Sequence, residues 1–117
     1  LAHSAPILPM LYGADAGRGC LLATIAPELA HEVYDINAPE ARTLWEVVQV
    51  IKDVIPGADI EVPPAPTEAG PFRSGPMEPD PRARADFGYV PEYDVRRGLR
   101  EYVEFLRTGR YAQLGVG

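Results

Sequence analysis

The sequence predicts a small α/β domain of about four helices and two or three short strands, and three observations lead there. Apolar residues recur at helical spacing over 43–55 and again over 95–106. Helix-starting and helix-stopping residues bracket several segments, and between them lies a short stretch rich in β-formers, Val33, Tyr34 and Ile36. At 117 residues the chain is most simply one domain, 1–117, long enough to bury roughly two-thirds of its unfolded surface.

Residues 1–14 are apolar and lack a clear period, so they are expected to be irregular or to form a short strand near Ile7 and Leu8. Asp15–Ala26 reads as a helix capped by Asp15 and stopped by Pro27, with Cys20, Ala23 and either Ile25 or Ala26 facing inward. Gly17 and Gly19 weaken that helix by about 1 kcal/mol each relative to alanine, or else permit close packing against a backbone. The segment HEVYDIN, 31–37, reads as a strand. Thr43 and Glu46 form a capping-box pattern ahead of a helix whose inward positions are Leu44, Val47, Val48, Ile51, Val54 and Ile55, and Pro56 with Gly57 ends it. A short strand is expected over 58–62.

Eight of the 13 prolines then fall from Pro56 to Pro81, a composition that marks a long loop, 56–81, expected to be either an ordered functional loop or a mobile one. After it the punctuation is clear. Asp80 is suited to cap a helix, Pro81 to open it and Gly88 to end it, while Asp94 caps a second helix with Val95, Leu99, Tyr102, Val103 and Leu106 along one side. Tyr89 and Tyr93 flank Pro91 in the turn between the two.

A hydrophobic content of 46% and a mean hydropathy of -0.13 fit a folded, soluble protein, and no apolar run approaches the roughly 20 residues that span a bilayer. No membrane or targeting segment is expected, and the start without Met is expected to be a processed, cloned or truncated end. The net charge of -6 counts against nucleic acid as a partner. Residues 82–117 are nonetheless mildly basic, which is read as a solvated helix face where Arg96, Arg97 and Arg100 stand beside Glu101 and Glu104. Cys20 is the single cysteine, so no intramolecular disulfide forms, which fits a cytoplasmic protein.

The glycines at 13, 17 and 19 match neither phosphate-loop spacing. Lys52, the one lysine, has Val48 four residues before it and reads as a solvated side chain; Cys20 reads as a small hydrophobe, and His3 and His31 lack the spacing of metal ligands. Arg73 stands out within GPFRSGP, a loop framed by glycine and proline that can present a guanidinium to a phosphate.

Four stretches together resemble the C-terminal part of an extended short-chain dehydrogenase/reductase of the NAD-dependent epimerase/dehydratase family: YGADAGRGCLLA at 12–23, EVYDIN at 32–37, TLWEVVQVIKDVI at 43–55, and DPRARADFGYVPEYDVRRGLREYVEFL at 80–106. The match runs over about 95 residues. The resemblance implies that 15–37 is a partial Rossmann-type remnant and that 38–117 resembles the substrate-binding lobe. It also implies that Arg73 contacts the diphosphate of a nucleotide-sugar, with Glu78 as the nearby acid where the family's acidic position holds Pro76. Asn37 stands where the family usually has glycine, and the Asp80–Phe87 spacing is one residue short.

The family's G-x-x-G-x-x-G cofactor loop and Tyr-x-x-x-Lys pair do not occur in the sequence. No cofactor is therefore expected for this chain alone, although the resemblance implies NAD for a full-length relative. The expected function is nucleotide-sugar binding by a non-catalytic portion of such an enzyme; the alternative is a stand-alone oligomerisation or interaction module derived from the family. An apolar face left by the absent sheet is expected to drive homo-oligomerisation.

Overall fold

A computed structural model describes residues 7–61 and 80–109. Among these residues the order is β1 (Ile7–Pro9), α1 (Gly13–Ile25), β2 (Ala41–Thr43), α2 (Leu44–Val54), α3 (Pro81–Phe87) and α4 (Val95–Thr108). The fold class matches the expectation of four helices and a few short strands. The strands are largely not the expected ones.

β1 pairs antiparallel with β2 in a two-stranded sheet, Ile7 opposite Thr43 and Pro9 opposite Ala41. A sheet this small leaves each strand a free edge, which is where a proline without an N–H is tolerated. β1 lies near Ile7 and Leu8 as expected, whereas β2 had no periodic signal and exists because β1 supplies its ladder.

The 31–37 segment forms no strand, nor does 58–61, the described part of the strand expected over 58–62. β-propensity reports how well a residue fits a ladder, and a ladder needs a second backbone. Here the 31–37 segment is anchored to residues flanking α3 instead: Asp35 N donates to Asp80 Oδ2 at 3.0 Å, and Asn37 O accepts from Tyr89 Oη at 3.1 Å. After α2 the chain makes a turn at Gly57, with φ at 86° and an Ala58 N to Ile55 O bond of 3.1 Å, and continues without pairing.

α2 has the expected capping box. Glu46 N donates to Thr43 Oγ1 at 3.2 Å, and Thr43 N donates to Glu46 Oε2 at 2.8 Å. Val47, Val48 and Val50 are buried; of these Val50 was not among the expected inward positions. Val47 and Val50 form the core with Val95 of α4, and Ile51, Val54 and Leu99 pack around them. The apolar side predicted for α4 is therefore used at its N-terminal end, while Tyr102 and Leu106 near its other end are 46% and 56% exposed.

The punctuation of α3 and α4 follows the sequence. Asp80 Oδ1 accepts from Arg82 N at 2.9 Å and Asp94 Oδ1 from Arg97 N at 2.7 Å. Gly88 is left-handed with φ at 72°, its N–H reaching Arg84 O at 3.0 Å while Tyr89 N reaches Ala83 O at 3.2 Å, a paired closure that satisfies the last carbonyls of α3.

α1 departs from expectation in two respects. It starts at Gly13, with Tyr12 in the cap position and no side-chain cap, so Asp15 lies within the first turn. Cys20 and Ile25 are exposed, and the buried residues are Asp15 and Gly19. Gly19 is small because Ile36 sits on it: a Cβ there would lie 2.7 Å from Ile36 Cγ2. The close approach expected for this glycine is thus to a side chain. No described helix is long and apolar enough to cross a membrane.

Candidate functional site

The densest polar arrangement joins α1 to the turn before α4. Asp15 is fully buried, and its carboxylate accepts from Glu92 N at 3.0 Å on each oxygen, from Tyr93 N at 2.9 Å and from Arg18 Nη2 at 2.8 Å. Burial pushes this carboxyl up, but the Arg18 hydrogen bond and the two amides outweigh it and hold the group below its usual value. Arg18 spans the junction, donating also to Val90 O and lying 5.3 Å from the centre of the Tyr89 ring. Arg18 was not singled out in the sequence, although its spacing of three from Asp15 is that of a helical ion pair; the partners 77 and 78 positions away leave no local signal.

A second cluster secures the loop after α1 onto α3. Asp86 accepts from Tyr34 Oη and lies 3.1 Å from His31 Nδ1, while His31 N donates to Tyr34 Oη at 3.0 Å. These two contacts hold Asp86 below its ordinary range. Phe87 meets the Tyr34 ring edge-on at 5.0 Å. His31, read only as lacking the spacing of a metal ligand, has a carboxylate partner 55 positions away.

Along α4, Arg96 and Arg97 are engaged with neighbouring groups. Arg96 donates to Asp53 Oδ2 at 2.8 Å, and Arg97 stacks 4.1 Å over Tyr93 while donating to Glu92 O at 2.9 Å. Asp94, Glu101 and Glu104 line the same open groove as Arg96, Arg97 and Arg100, so positive charge is offset within it. This agrees with a solvated, mixed-charge face. Lys52 is exposed, as expected. On the other side of α4, Met10, Leu11 and Tyr12 face Val95, Gly98, Leu99 and Tyr102 across an apolar groove of about 230 Å³.

The two residues singled out for substrate contact, Arg73 and Glu78, lie outside the described residues, as does most of the proline-rich loop. The described chain resumes at Asp80, directly after them. Arg82 and the Asp35 amide hold the Asp80 carboxyl down at about 2. The point from which the loop reaches α3 is therefore tied to both the helix start and the 31–37 segment.

No family model matches this sequence, and no curated protein matches it either. Among solved structures, a partial-consensus L-threonine 3-dehydrogenase (E-change) matches with a TM-score of 0.67 and 23% identity, over 90% of this chain and 35% of that one. The chain thus spans about a third of the length of that dehydrogenase. At this identity the likeness concerns the fold, and the described elements are similar in fold to one part of that dehydrogenase.

Proposed function

We propose that this chain is the substrate-side portion of a short-chain dehydrogenase- or epimerase-like protein and binds a nucleotide-sugar through Arg73, assisted by Glu78. The observation that carries the substrate-side reading is the fold likeness to about a third of a dehydrogenase, in a sequence without the cofactor loop or the Tyr-x-x-x-Lys pair; the nucleotide-sugar is proposed from the sequence resemblance around Arg73. On this reading the chain supplies substrate contacts, and an NAD-binding portion elsewhere supplies the chemistry. Arginine is suited to the role because its planar fork meets two phosphate oxygens at once. Isothermal titration with UDP- and dTDP-sugars tests it, with L-threonine as the competing substrate class suggested by the matched dehydrogenase's name. Saturable binding of a nucleotide-sugar, weakened at least tenfold by Arg73→Ala, is expected. Heat with L-threonine alone, or no effect of Arg73→Ala, would overturn the nucleotide-sugar assignment.

A second reading, an oligomerisation or interaction module, is favoured by a different observation. Leu21, Ile25, Leu29 and Val33 are 58%, 66%, 47% and 69% exposed, and all lie in the 15–37 region likened to a sheet-side remnant. Leu21 and Ile25, four residues apart, share one side of α1. Such residues are stabilised by a cover, from a second copy or from the rest of a larger fold. A stable oligomer without nucleotide affinity would favour this reading over the first.

A further inference from the structure

No further inference is drawn: the strongest candidate, the apolar groove between Met10–Tyr12 and the N-terminal half of α4, is an unpartnered apolar face, and nothing in the structure shows what covers it.

Discussion

At the scale of single residues, Asp15 has the largest consequence. Its carboxylate is the acceptor for two backbone amides and one guanidinium, and water cannot take its place at a site with no exposure. Asp15→Ala leaves those donors unpaired, and the expected loss is about 3 kcal/mol, the scale for removing one partner of a buried charged pair. Urea denaturation measures it directly; a loss under about 1 kcal/mol would contradict this account. The same chemistry fixes the response to acid. Asp15, Asp80 and Asp86 all have folded values below the ordinary carboxylate value, so as pH falls the unfolded chain takes up protons first. Their contribution is complete above about pH 4 and disappears as pH drops through the folded values, about 2 for Asp80. Thermal melts from pH 7 down to pH 2 should show a falling midpoint below about pH 4, with a shallower fall in Asp80→Asn. A midpoint that stays level over that range would contradict the stabilising role of these carboxylates.

At the scale of elements, small residues set how closely the pieces approach. A Cβ on Gly98 of α4 would lie 3.1 and 3.2 Å from Tyr12 ring carbons and 3.4 Å from Tyr12 Cβ, atoms near the backbone with little room to yield. Alanine in mid-helix gains about 1 kcal/mol of propensity over glycine, whereas overpacking costs about 1–3 kcal/mol. The second effect should win, so Gly98→Ala is expected to destabilise by about 1 kcal/mol. An increase in stability would mean that Tyr12 moves aside freely. Thr43 is the contrasting case, because its role is local. Thr43→Ala removes the acceptor for Glu46 N and should cost about 1 kcal/mol without altering the α2–α4 core, seen as a lower denaturation midpoint with unchanged slope.

At the scale of the whole molecule, the described core is small, centred on three valines from α2 and α4, while large apolar side chains on and after α1 face solvent. That imbalance predicts self-association. Light scattering at high protein concentration should give a mass of a dimer or larger, and Leu21→Lys combined with Ile25→Lys should return it to a monomer with the same helix content. A monodisperse wild-type monomer would defeat the oligomer expectation.

What the sequence determined alone was local: where α2, α3 and α4 start and stop, and which sides of α2 and α4 are apolar. Asp80, Pro81, Gly88, Thr43, Glu46 and Asp94 act on backbone groups within a few residues, so their effect is legible without knowing the fold. Tertiary structure decided the rest, because pairing is not a property of one segment. HEVYDIN has the composition of a strand but is anchored to α1 and α3, whereas Ala41–Thr43, without a pattern, is a strand because Ile7–Pro9 lies beside it. Asp15 was read as the cap of α1, whereas it lies inside the first turn and serves as the acceptor for the turn before α4, a role no local spacing shows. His31 likewise acquired Asp86 only when the loop after α1 met α3. Contacts of this kind join residues more than 50 positions apart, and no local spacing encodes them.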